Sequence, residues 1–251
     1  MARPQLVVLP TAADVAADVA ARLVTRLVDI QASGRVPAVV LAGGTIGIDL
    51  LRRINSSPSR DSVDWQRVEI YWGDERFVPA TSAERNEAQA RDALLDSVEL
   101  NPSLVHPMAA SDGAFGADLD AAASDYADLV DRRDEPFDVT LLGLGPDGHV
   151  ASIFPEHPGV YDDRTALPVR HSPKLPPSRI SLSLPTIRTS HEVWVVTAGT
   201  EKSGAVAMAF GGAGEVAVPA VGAVGTVRTL WLMDRDAAVR LPSSVFRAPM
   251  A

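Results

Sequence analysis

The sequence predicts an α/β protein built on a doubly wound, mostly parallel sheet flanked by helices. Two observations carry that prediction. Short apolar runs alternate along the chain with stretches whose apolar residues recur at helical spacing. Residues 35–44, RVPAVVLAGG, are also continuous in apolar character, as a strand covered on both faces requires. A third points to where ligands bind: the apolar run 137–145 empties into a glycine-rich turn, and the carboxyl ends of strands are the ligand edge of an open α/β sheet.

The elements follow in order. QLVVLP (5–10) reads as a strand, and Thr11 caps a helix on which Val15, Val19, Leu23, Leu27 and Ile30 share one face. The strand within 35–44 hands over to a helix opened by GTIGIDLLRRI, with its first turn near Ile46. VEIYWGDERFVP (68–79) is a third strand ending in a charged turn, and 84–98 a helix after it. LVHPM (104–108) is a short strand candidate, followed by a helix through Leu119, Ala122, Tyr126 and Val130. FDVTLLGLG (137–145) is the fourth long strand. RISLSLPTI (179–187) alternates serine with apolar residues, as a partly exposed strand does, and HEVWVVTAG (191–199) and TLWLMD (229–234) complete the set around the helical stretch EKSGAVAMAF. Between them, 155–178 is rich in proline and too long for an idle connector; it is either a lid or rim of a site, or a rigid surface loop.

A chain of 251 residues buries enough surface for one large core or two closely joined lobes. Cysteine is absent, which excludes disulfides, thiolate metal sites and cysteine nucleophiles. The formal net charge is −9, from 23 Lys and Arg against 32 Asp and Glu, so the summed field repels nucleic acid and anionic membrane. An anionic ligand must therefore be captured locally, by converging cations or helix N-termini. No run of apolar residues is long enough to span a bilayer, and the amino-terminal stretch, with Asp14 and Asp18, is unlike a signal peptide. The expectation is a cytoplasmic protein, one domain over 1–251.

Four regions carry chemistry. In LAGGTIG (41–47), Gly43 and Gly44 release the chain from a strand, Thr45 offers a hydroxyl, and the following helix turns its free N–H groups toward the loop. This is an anion cradle or simply a strand-to-helix turn, and it lacks the Lys-Ser/Thr pair of a nucleotide P-loop. GDERFVP (73–79) presents Asp74, Glu75 and Arg76 together, with ERN (84–86) after it; Arg76 can reach a phosphate and Asp74 a sugar hydroxyl or a base. The alternative is a solvated loop in which Asp74 and Arg76 pair at little energetic consequence. GLGPDGH (143–149) is formally GxGxxG, but Pro155 and Pro158 forbid the long helix a dinucleotide site needs. Asp147 and His149 lie two apart, and such a carboxylate can hold one ring nitrogen while the other takes a proton near neutral pH. A structural histidine, or metal ligation with Glu156 and His157, are the alternatives. Finally, Arg179 opens a strand after the proline-rich segment, and Lys202 starts a helix, where its charge opposes the macrodipole unless an anion sits between. A solvated surface lysine is the alternative there.

These blocks, LAGGTIG, GDERFVP with ERN, LLGLGPDGHVASIFP, SPKLPPSRISLSLP and VTAGTEKSGAV, occur in an order that resembles the 6-phosphogluconolactonases, over about residues 5–240. The resemblance implies a Rossmann-like fold, similar to that of glucosamine-6-phosphate deaminases. It implies hydrolysis of 6-phospho-D-glucono-1,5-lactone to 6-phosphogluconate in the oxidative pentose phosphate pathway, with no cofactor and no metal. The small sugar phosphate lactone is then the partner, with neither nucleic acid nor membrane, and the protein is expected to be a monomer. Carried onto this chain, the resemblance makes His149 the catalytic base; Asp147 and Asp74, read from the residues themselves, are the further catalytic candidates. The resemblance makes the Gly43–Gly44–Thr45 turn, Arg76 and Lys202 the phosphate ligands, with Arg179 as a further one, and Asn86 of ERN is an additional candidate for binding substrate. The deaminases share much of this pattern, but there DGH is followed five residues on by a glutamate that takes part in proton transfer. Here that position is Phe154, and an apolar ring moves no protons. A non-catalytic sugar-phosphate sensor is the remaining alternative. Such regulators usually carry a DNA-binding module, for which this acidic chain has no residues to spare.

In the expected reaction His149 takes a proton from water as it attacks C1 and returns it to the departing ring oxygen. Asp147 orients the imidazole, glycine-turn N–H groups cradle the oxyanion, and phosphate binding positions the lactone.

Overall fold

A computed structural model describes residues 4–242 and 245. The strands are β1 (Gln5–Leu9), β2 (Ala38–Leu41), β3 (Glu69–Trp72), β4 (Asp74–Arg76), β5 (Val139–Gly143), β6 (Ala166–Val169), β7 (Arg179–Leu182), β8 (Glu192–Thr197) and β9 (Arg228–Asp234). The helices are α1 (Ala12–Ala32), α2 (Gly44–Ser56), α3 (Asn86–Ala93), α4 (Leu119–Asp131), α5 (Leu184–Thr189), α6 (Ser203–Phe210), α7 (Pro219–Gly222) and α8 (Arg235–Ala238). Six strands form one sheet in the order β1-β9-β8-β5-β2-β3, with every neighbouring pair parallel. The other three form a small antiparallel sheet, β4-β7-β6.

Both faces of the parallel sheet are covered, as its apolar strands require. Thr11 caps α1 in a reciprocal box with Asp14, and all five apolar positions read from the sequence are buried. Val15, Val19, Leu23 and Leu27 pack with Leu51 of α2 and with Trp72 and Trp194 on one face of the sheet. Tyr126 of α4, Phe137 and Trp231 belong to the core on the other face. Each fully buried Leu or Val side chain contributes roughly 1.5–3 kcal/mol of transfer free energy. No helix among the described residues is long and apolar enough to cross a membrane.

Several expectations are corrected. The run 68–79 is two strands in two sheets, divided at Gly73. The N–H of Gly73 donates to Leu41 O in the parallel sheet at 3.1 Å, and its carbonyl accepts from Leu182 N–H in the antiparallel one at 2.8 Å. The proline-rich segment 155–178 is not wholly irregular. It contains β6, and Pro168 is tolerated because β6 is an edge strand of the small sheet. Strand β7 is buried throughout rather than partly exposed, because it is the middle strand. Ser181 is inside because its hydroxyl accepts from Ser152 N–H and donates to Leu182 O. Ser183 caps a helix, so 184–189 leaves the strand. Residues 104–108 pair only through one bridge, Val105 to Ile70. The helix within 84–98 is limited to Asn86–Ala93, and α2 starts at Gly44, two residues before Ile46.

Candidate active site

The carboxyl ends of all six parallel strands converge on one cleft of about 730 Å3. Thr11 follows β1, Gly43 follows β2, Gly73 follows β3, Gly145 follows β5, Thr197 ends β8 and Asp234 ends β9, and each lines the cleft. Between β2 and β5 the strand order reverses direction, the place where open α/β sheets hold ligands. The small sheet supplies the opposite wall through Asp74, Arg76 and Arg179. Gly44, Thr45, Asn86, His149 and Lys202 complete the set, so four segments far apart in sequence meet here.

His149 stands at the end of a tight turn, closed by Gly145 N–H to His149 O at 2.9 Å and Gly148 N–H to Gly145 O at 3.0 Å. Its Nδ1 lies 2.5 Å from Asp147 Oδ1, and its ring rests on the buried ring of Phe154 with centroids 4.5 Å apart. Burial pushes the Asp147 carboxyl up, but the hydrogen bond and charge of His149, with help from Lys174, outweigh it and bring the pKa down to about 2. An ionised carboxylate only accepts. Nδ1 is therefore the donor in this pair, and Nε2 makes no hydrogen bond among the described residues. A methyl on Gly145 would overlap both the His149 ring and the Asp147 carboxylate, so this glycine makes room for the pair and not for a pyrophosphate.

Residues 74–76 are a strand, and their side chains alternate. Asp74 and Arg76 face the cleft while Glu75 points away, so the three do not act together as the sequence suggested. Asp74 does not pair with Arg76 either: its Oδ2 accepts from Ser152 Oγ at 2.6 Å and lies 3.8 Å from Arg179, and its Oδ1 accepts from Asn86 Nδ2 at 3.3 Å. Arg76 donates to Asn86 Oδ1 and to Glu84 O. Asn86 is pressed against the first turn so closely that a methyl on Gly43 would overlap its carboxamide. Glu75, buried, accepts the backbone N–H groups of Arg76, Asn86 and Glu87 and thereby fixes the start of α3; burial pushes its pKa up.

Arg76 and Arg179 are directly opposite in the β4–β7 ladder. Like charges so placed repel unless an anion or a carboxylate intervenes. Burial, with Arg76 adding to it, pushes the Arg179 pKa below the ordinary arginine value against the pull of Asp74. Gly43 caps α2 without a side chain, leaving its first-turn N–H groups open toward the cleft. Lys202 ends the turn 200–202 and occupies the N-cap of α6, where its charge opposes the dipole as expected. The candidate metal partners Glu156 and His157 do not join His149 in lining the cleft. Both nitrogens of His157 are in use, Nδ1 accepting from Gly159 N–H and Nε2 donating to Arg170 O.

Two residues that help build the site were missed in the sequence. Ser152, two positions before Phe154, anchors Asp74. Lys174 lines the cleft from the proline-rich segment. Its position among prolines beside Arg179 was the available signal.

An open parallel sheet whose carboxyl-edge cleft brings four cations and an Asp–His pair together among carboxylates fits a sugar-phosphate enzyme, and the comparisons give the family. The sequence model of the family described as Glucosamine-6-phosphate isomerases/6-phosphogluconolactonase matches residues 10–231, and the chain belongs to that family. Within it, the kinship is with the lactonase branch. The chain is 53% identical to the 6-phosphogluconolactonase of Streptomyces coelicolor over 97% of each chain. It is 51% identical to that of Mycobacterium tuberculosis, covering 82% of this chain and 85% of the relative. Among solved structures, a 6-phosphogluconolactonase from Trypanosoma brucei superposes with TM-score 0.81 at 26% identity, over 96% of this chain and 99% of that one. A monomeric glucosamine-6-phosphate deaminase shares the fold at TM-score 0.78 and 19% identity, over 94% of this chain and 99% of that one.

Proposed function

We propose that this chain hydrolyses 6-phospho-D-glucono-1,5-lactone to 6-phospho-D-gluconate, the second step of the oxidative pentose phosphate pathway. In this reading it acts in the cytoplasm as a monomer and a single hydrolase domain, with no cofactor. One chain supplies every residue the reaction needs. The observation that carries the reading is His149, held by Asp147, in the same cleft as Arg76, Arg179 and Lys202.

His149 Nε2, its lone pair kept free by the Nδ1–H bond to Asp147, takes a proton from water as the water oxygen bonds to C1. Asp147 stabilises the imidazolium that results. Backbone N–H groups of the glycine turn hold the charge that develops on the carbonyl oxygen. The bond from C1 to the ring oxygen then breaks, the carbonyl re-forms, and the imidazolium returns the proton to the departing oxygen. Since the phosphoryl group does not react, its binding serves to hold C1 over the imidazole. Arg76, Lys202, Thr45 and the first-turn N–H groups after Gly43 and Gly44 grip it, with Arg179 as a further cation. Asp74 orients Asn86 and Arg179 and offers its remaining edge to a sugar hydroxyl.

Phe154 stands against a deaminase. The ring five residues beyond His149 is buried beneath the imidazole and shuttles no protons. The test is turnover of freshly generated 6-phosphogluconolactone, corrected for spontaneous opening, beside glucosamine 6-phosphate. Hydrolysis of the first with no ammonia from the second is expected. Ammonia release, or lactone opening no faster than in buffer, ends the reading.

A further inference from the structure

Lys174 enters the cleft on a loop whose backbone is held at every turn. Ser172 N–H donates to Pro177 O at 3.0 Å, and Lys174 N–H donates to Ser172 Oγ at 3.2 Å. The Arg179 guanidinium grips the carbonyls of Lys174, Leu175 and Pro176 at 3.2, 3.2 and 3.3 Å. Prolines at 173, 176 and 177 restrict φ further. Nε and Nη2 of Arg179 are thus committed to this loop, with Nη1 toward Asp74, and Arg76 spends Nη1 on Glu84 O and Asn86 Oδ1 while its Nη2 stays uncommitted. The ammonium groups of Lys174 and Lys202 differ. Neither has a hydrogen-bond or ion-pair partner among the described residues, although both line the cleft. They share one cleft with Arg76 and Arg179, and burial pushes the pKa of Lys174 down against the pull of Asp147, with Lys202 and Arg179 adding to the fall. Asp74, Glu201, Asp234 and Asp236 line the same cleft but none bonds either ammonium, so an anionic guest is the partner these two lysines lack.

We propose that Lys174 is a substrate-binding residue that, with Lys202, contacts the phosphoryl oxygens of the bound sugar phosphate, and that Arg179 is the positioning residue that delivers it. This rests on the sugar-phosphate reading above and adds a ligand to it. The cross-strand opposition of the two arginines is eased by Asp74, whose carboxylate lies 3.8 Å from the Arg179 guanidinium.

The test compares Lys174→Met and Lys174→Arg with the unaltered protein. Affinity for 6-phosphogluconate and for inorganic phosphate is measured by calorimetry, and KM and kcat on 6-phosphogluconolactone are measured separately. Lys174→Met should weaken 6-phosphogluconate binding by about tenfold to a hundredfold, as loss of a charge-assisted contact does, and raise KM by a similar factor. Lys174→Arg should restore most of the affinity. Unchanged affinity for 6-phosphogluconate in Lys174→Met overturns the proposal. So does a fall in kcat at unaltered affinity, which would put Lys174 at the reacting carbon. The two readings fail separately. A protein that opens no lactone, yet loses 6-phosphogluconate binding on Lys174→Met, keeps the ligand assignment and loses the hydrolase. An active enzyme indifferent to Lys174→Met does the reverse.

Discussion

At the amino edge of the parallel sheet Glu69, Tyr71, His106 and Arg133 line a cleft of about 730 Å3, the same volume as the one at the carboxyl edge. There the charges of Glu69 and Arg133 are matched. Glu69 accepts from Tyr71 OH at 2.8 Å, meets His106 Nε2 at 3.1 Å and pairs with Arg133. Arg133 in turn sits 4.9 Å over the rings of Tyr71 and Phe137, and His106 stacks on Tyr71. Burial pushes the Glu69 carboxyl up, but the bonds from His106, Arg133 and Tyr71 prevail and hold it at about 2, while burial carries Tyr71 to about 12. At the carboxyl edge two lysines have no partner, and the Asp147–His149 pair keeps Nε2 free. Size does not separate a brace from a site. What separates them is whether the charged groups have already satisfied one another.

The comparison breaks if the two edges respond alike to substitution. The largest effect is expected for His149→Asn, which should lose about two to four orders of magnitude in kcat with 6-phosphogluconate binding retained. Undiminished turnover would remove the base from position 149. Next is Glu69→Ala, which strips the network of its centre and leaves Arg133 and Tyr71 without their acceptor. Urea denaturation should show a loss of about 1–3 kcal/mol with kcat/KM unaltered. A drop in catalysis by the folded variant would mean that the amino edge is not merely a brace.

A smaller effect sharpens the contrast through pH. Glu69 and Asp147 both titrate at about 2, below the ordinary 4.5 and 3.8 of their types. A carboxyl depressed on folding contributes stability above its ordinary pKa and loses it as pH falls toward the depressed value. Stability should therefore decline between pH about 4.5 and about 2, and Glu69→Gln should flatten that slope by up to about one proton while Asp147 remains. An identical slope in the variant would show that the network does not bias Glu69 toward its charged form.

Much of this was legible in the chain. Thr11 and the apolar spacing from Val15 to Ile30 depend on neighbours within a turn or two, and so α1 appears where expected. The four site segments were named because glycine turns, an Asp-x-His pair and cations at strand ends are local chemical statements. The allocation of 74–76 to a second sheet was not legible. A strand's partner is chosen by segments a hundred residues away, here β7, and the pairing register decided that Arg76 would face Arg179 and not Asp74.

By itself, then, the sequence determined the alternation of strands and helices, the acidic field that demands local anion capture, and the imidazole set beside a carboxylate at residues 147–149. Only the tertiary structure decided which of the cations are free, because that depends on hydrogen bonds closed between distant segments. Arg179 spends its donors on Lys174, Leu175 and Pro176, and Lys174 is thereby left open to the cleft. A residue's type sets what it can bind; the groups folded around it set what it has left to bind with.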